Sequence, residues 1–235
     1  MQKHTLVPFD KELDELNQLI QSMLKISQKN IKHSLKALKK GDAKLAQKVI
    51  QNDKAVDALE VQADDIARNI IVRHQPAASD LRFVFAAIKI VTDLERLSDM
   101  AVSIAYNVLN LDGDIPKNLA TIPVMQEMVM DQLKKVFNVY QEYDAQQAQV
   151  IIEHNALINE AFINTQRVML TYMEENPSKI SQYMALTNIA KLLERIGDHI
   201  TNIAEMVIYS AKGFDVRHIS AEEIKQLLAE EEEEQ

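Results

Sequence analysis

Cysteine and tryptophan are absent from this 235-residue chain, and glycine and proline occur only four and five times. Without cysteine there is neither a disulfide framework nor a thiolate metal site, a composition that suits a reducing cytoplasm. So few breakers exclude a fold of strands and tight turns and make long helices the default. Charges interrupt every apolar run well short of the roughly 18 residues that cross a bilayer. Residues 1–10 also lack the apolar stretch of a signal peptide. Contact with a membrane is therefore expected only indirectly, through a partner. Basic residues are outnumbered 26 to 35 by acidic ones, giving a net charge of −9 and a pI near 5.2. Nucleic acid needs a basic face to displace counterions, and the lysines here are scattered, so nucleic-acid binding is set aside.

What the chain does have is apolar residues, 47% of the whole, enough for a sizeable core. Caps and breaks divide it into six long segments. The first runs from about 9 to 40 and stops at Gly41; Asp42 caps the second, which ends at Gln75-Pro76. The third is expected to start at Asp80 and to reach about 111, ahead of Asp112-Gly113-Asp114. The fourth covers about 123–142, and Asp144 caps the fifth, which ends at Asn176-Pro177. The sixth spans about 178–211, ahead of Lys212-Gly213. Ser220-Ala221-Glu222-Glu223 then has the form of a capping box for one short terminal helix. The acidic run at 230–234 is expected to be a solvated, frayed end.

These segments repeat with a period of roughly 100 residues. Gly41-Asp42-Ala43 aligns with Tyr143-Asp144-Ala145, Gln75-Pro76 with Asn176-Pro177, and Leu94-Glu95-Arg96-Leu97-Ser98-Asp99 with Leu193-Glu194-Arg195-Ile196-Gly197-Asp198. Three landmarks in one order predict an all-α protein of two tandem homologous three-helix bundles. The first occupies 1–112, the second 115–212, and 213–235 form a C-terminal extension. Broad apolar helix faces lead to the expectation of a homodimer.

The most informative feature is carboxylate in apolar surroundings. At 100° per residue, Leu81, Val84, Ile88, Val91, Val102 and Tyr106 share a stripe of the third helix, and Glu95 and Asp99 are expected in its middle. Arg96 is placed on a different arc. On the second helix Asp53, Asp57, Glu60 and Asp64 line one face between Ala46, Val49, Ala67 and Ile71. Like charges at i,i+4 oppose each other by about 0.2–0.5 kcal/mol per pair on an exposed helix, and burial raises the cost to several kcal/mol per unpaired charge. Hard cations with oxygen ligands are one remedy. Arginine or lysine from another helix, or a solvated groove, are the others. In the second copy Glu194 and Asp198 share a face with Thr201 and Glu205, but Asn155 and Asn159 replace Asp53 and Asp57, so a second site is expected to be weaker or empty. Gly197 reads either as a close helix–helix approach or as room for a ligand beside Glu194 and Asp198. The six histidines form no ligand pattern, no Glu-x-x-His occurs, and the phosphate-binding glycine loop, GxSxG and HExxH are missing. No catalytic residue is assigned.

The segment Gln75-Pro76-Ala77-Ala78-Ser79-Asp80-Leu81-Arg82, the duplicated Leu-Glu-Arg motifs and Gly213-Phe214-Asp215-Val216-Arg217-His218 resemble the PhoU family of phosphate-signalling regulators. The resemblance covers about residues 9–218. It implies two related three-helix bundles. It also implies a negative regulator of the phosphate-starvation response that links the phosphate ABC transporter, through its ATPase, to a phosphate sensor histidine kinase at the inner membrane. Relatives that carry metal at E/DxxxD motifs imply metal ligands at Asp53, Asp57, Glu95 and Asp99 in the first copy and Glu194 and Asp198 in the second. The ions implied are divalent or trivalent, with Mg, Mn, Fe and Zn all acceptable to carboxylate oxygen. Three departures stand out: Asn155 and Asn159 on the fifth helix, His74 where arginine is usual, and Ser98 where glycine is usual. A metal-dependent enzyme of phosphate metabolism, in which the carboxylates activate water, and a metal-free helical scaffold whose seams are neutralised by Arg96, Arg195 or lysines are the alternatives.

Overall fold

The computed structural model describes residues 7–111 and 121–234. Helices α1 (Val7–Lys40), α2 (Ala43–His74) and α3 (Ala78–Leu109) form the first bundle, and α4 (Thr121–Glu142), α5 (Ala145–Glu175) and α6 (Ile180–Lys212) the second. A terminal helix, α7 (Ala221–Glu234), packs on α5. No strand occurs among the described residues. The turn expected at Asp112-Gly113-Asp114 lies outside them. No described helix is long and apolar enough to cross a membrane.

Local chemistry explains the helix boundaries. Gly41 takes a left-handed φ of 63° that lets the Asp42 amide return to Ala37 O at 3.0 Å, closing α1. Asp42 then caps α2 by accepting from the Leu45 amide at 3.0 Å. The second copy repeats this junction with Tyr143 in the left-handed conformation (φ 53°) and Asp144 accepting from the Gln147 amide at 2.9 Å. Several boundaries shift by about two residues from expectation, and two differences have a plain local cause. Helix α3 begins at Ala78, with Ala77 as an N-cap that offers no side-chain acceptor, so Asp80 belongs to the first turn instead of starting the helix. Helix α7 continues through Glu234, and Glu231 pairs with Lys212 at 2.7 Å, so the acidic end is helical and not frayed as far as Glu231. The capping box forms as read: Ser220 N donates to Glu223 Oε2 at 2.8 Å and Glu223 N to Ser220 Oγ at 3.3 Å. Ile224 and Leu228 on α7 are fully buried.

One core runs through both bundles. Helix α3 packs against α1, α2 and also α6, and α6 packs against α5, α4 and α3. The α3–α6 contact therefore joins the repeats and demands apolar residues over most of both helices. On α3 that includes Phe83, Val84, Ala87, Leu94, Leu97 and Ile104. Fully burying one such side chain contributes about 1.5–3 kcal/mol.

Candidate metal centre

Helices α2 and α3 bring the first-copy carboxylates to one seam. Ser98, fully buried, donates from Oγ to Asp53 Oδ1 at 2.8 Å and accepts from Asn30 Nδ2 of α1 at 3.2 Å. One polar node thus ties all three helices of the bundle. Burial pushes the Asp53 carboxyl up; the Ser98 hydrogen bond opposes this, and Asp57 and Asp99 add repulsion. Glu60 is pushed up by burial and by Asp64 and Asp57, against the pull of Arg96. Glu95 is raised furthest, to about 7, by burial and then by Asp99, with Glu60 adding and Arg96 opposing. These mutual influences place Asp53, Asp57, Glu60, Glu95 and Asp99 in one electrostatic cluster.

Two expectations need correction. Glu95 and Asp99 lie at the border of the buried arc of α3, not at its middle: their side chains keep 17% and 45% of their exposure, and Tyr106, assigned to the same stripe, is exposed. The buried arc is wider than a single-bundle helix requires because α6 covers the far side. Arg96 is also not confined to another arc. Its Nε lies 3.4 Å from Glu95 Oε2 and its NH1 3.2 Å from Asp99 Oδ2. The guanidinium thus lies across both carboxylates, and no three His, Asp or Glu side chains among the described residues are gathered as a metal site would require. The donor set nevertheless suits a hard cation, since it is all carboxylate oxygen, partly desolvated and short of positive charge.

The second copy neutralises its seam from within. Lys191 Nζ, at the position of Thr92, lies 2.9 Å from both Glu194 oxygens and 5.0 Å from the Phe162 ring centroid. Phe162 in turn occupies the position of Glu60. Asn155 Nδ2 donates to Asp198 Oδ1 at 3.0 Å, where the first copy opposes Asp53 to Asp99. A Cβ at Gly197 would lie 2.7 Å from Asn155 Oδ1 and 3.1 Å from Ile158 Cδ1, so the glycine serves close helix approach. The buried amide oxygens of Asn155 and Asn159 accept no hydrogen bond. Glu194 and Asp198 thus share a face with two neutral oxygens that lack donors, a set carrying less negative charge than the first-copy seam.

Sequence reasoning missed a second polar node. Asp93 of α3 faces α6, where Asp93 Oδ1 lies 2.7 Å from His199 Nδ1 and accepts from Asn202 Nδ2 at 3.0 Å. Beside it a cleft of about 370 Å³ is lined by Lys89, Glu205, Met206 and Arg217 among others. Burial raises the Glu205 carboxyl to about 7; Arg217 opposes the rise, and Asp93 and Asp215 add to it. The only signal in the sequence was polar residues on both helices where the repeats face each other. It becomes readable only once α3 and α6 are known to pack together.

A duplicated three-helix bundle with an acidic seam in its first copy defines the class. The PhoU domain model matches twice, over residues 20–108 and 122–207. The chain is 37% identical over 228 residues to a phosphate-specific transport system accessory protein PhoU homolog of a Burkholderia species, covering 95% of this chain and 97% of that protein. It is 39% identical over 211 residues to the homolog of Zymomonas mobilis, covering 89% of each. The crystal structure of PhoU from Pseudomonas aeruginosa superposes with a TM-score of 0.85 at 31% identity, over 88% of this chain and all of that one. The chain belongs to the PhoU family.

Proposed function

We propose that the protein is an accessory regulator of phosphate uptake that keeps the phosphate-starvation response off when phosphate is plentiful. It acts as an adaptor, not an enzyme, between the phosphate ABC transporter ATPase and a phosphate sensor histidine kinase, and reaches the inner membrane only through these partners. The observation that carries this reading is the match to named phosphate-transport accessory proteins over nearly the full length of both chains. A homodimer presents the long helix faces to both partners.

We further propose that the first-copy seam holds a metal ion. Asp53, Asp57, Glu95 and Asp99 are its ligands, with Glu194 and Asp198 a weaker second locus. A bound divalent or trivalent ion would supply the positive charge that the carboxylates lack. Within the chain, Ser98 and Asn30 orient Asp53 from the buried side. Deleting the gene tests the regulatory reading: alkaline phosphatase expression in phosphate-rich medium should rise and return to its repressed level on complementation. Unchanged expression contradicts it.

A further inference from the structure

We infer that Arg96 is a displaceable internal counterion of the first-copy seam: a metal ion enters by exchanging with the guanidinium, which moves off Glu95 and Asp99 and becomes free on the surface. This rests on reading the seam as a metal locus.

Geometry supports the exchange from both sides. Arg96 spans the two carboxylates of the ExxxD motif, and while it does so the acidic side chains do not converge on a common point. Its own side chain keeps 53% of its exposure, so it can swing outward on a long stem without crossing the core. An ion pair with so exposed a guanidinium holds only weakly. Meanwhile Arg96 lies against Glu95 and Asp99 and also draws on Glu60, while Asp53, Asp57 and Asp64 add negative charge to the same seam, so a divalent ion gains attraction that a single guanidinium cannot match.

The second copy displays the released state. There Lys191 serves Glu194 and Asn155 serves Asp198, and Arg195, the counterpart of Arg96, is exposed and makes no ion pair among the described residues. The same arginine on the same motif therefore leaves the seam once other groups neutralise it. In the first copy Thr92 stands where Lys191 would be, with its hydroxyl on the Ile88 carbonyl. Metal occupancy would then be coupled to exposure of a guanidinium beside the seam, a change of surface charge that a partner carboxylate can recognise.

The test is calorimetric titration of Mn2+ into chelator-stripped wild type, Arg96→Gln and Asp53→Ala/Glu95→Ala, joined to phenylglyoxal labelling of individual arginines followed by mass spectrometry. Arg96→Gln should bind Mn2+ several-fold to about tenfold more tightly than wild type, a gain of up to about 1.4 kcal/mol. Labelling of Arg96 in the wild type should rise on adding Mn2+ while that of Arg195 stays constant. Equal or weaker binding by Arg96→Gln, or unchanged labelling of Arg96 at saturating Mn2+, overturns the exchange and leaves the metal seam standing. Absence of binding in both wild type and Arg96→Gln removes the metal seam itself.

Discussion

Ser98 Oγ donates to Asp53 Oδ1 at 2.8 Å, while the counterparts of this pair, Gly197 and Asn155, approach so closely that a Cβ on the glycine would lie 2.7 Å from the amide oxygen. The two copies thus solve one packing problem differently. The first keeps the carboxylate and gives it a hydroxyl donor; the second gives up the charge, removes the side chain opposite, and turns the amide toward Asp198. Ser98→Ala should therefore cost about 1–3 kcal/mol, because Asp53 loses its donor and Asn30 its acceptor in a buried setting. Thermal melting should fall by about 2–4 °C per kcal/mol. An unchanged melting temperature would mean that water replaces the hydroxyl without loss.

Asp93 links the repeats through His199 and Asn202. Asp93→Ala removes their common acceptor and should destabilise the α3–α6 contact by about 1–3 kcal/mol. Calorimetry should show the melting transition shifted down or broadened, with the two bundles beginning to unfold separately. A melt unchanged in midpoint and shape would show that apolar packing alone joins the bundles.

Glu205 supplies a pH dependence. Its carboxyl titrates near 7 in the folded protein and near 4.5 when unfolded, so between these values the folded state binds more protons and stability falls as pH rises. Glu205→Gln should match wild type at pH 5, where the native carboxyl is protonated, and exceed it at pH 8. Discounted for its contact with solvent, the gain is on the order of 1 kcal/mol, or about 2–4 °C in melting temperature. Equal melting temperatures at both pH values would contradict the raised titration.

Asp144 holds the first turn of α5 by accepting from the Gln147 amide. Asp144→Ala should cost about 1 kcal/mol in urea unfolding, whereas Asp144→Ser should recover most of it.

Most of the helical layout was legible because it rests on local signals. Gly41, Asp42, Asp144 and the Ser220–Glu223 box act on their own turns and need no distant partner. The duplication was legible because it is written in order along the chain. What stayed hidden depends on tertiary neighbours. A helical wheel assumes one buried face, and α3 has a second one against α6, which displaced Glu95 and Asp99 from the centre of the buried arc to its edge. The same contact created the Asp93–His199 pair. Arg96 escaped its assigned arc because its long side chain reaches past the position of its Cα, and residues three apart on a helix, such as Arg96 and Asp99, are neighbours. For Lys191 only the contact with Phe162 of α5 was unreadable, because its pairing with Glu194 three residues on lies within one helix.

Metal content is the most direct measure of the central claim. Protein purified without affinity metals or chelators should carry a metal ion by elemental analysis, and Asp53→Ala/Glu95→Ala should lose it while remaining folded. Metal absent from both proteins, even after exposure to Mg, Mn, Fe and Zn, would contradict the claim and leave Arg96 as the permanent counterion of the seam.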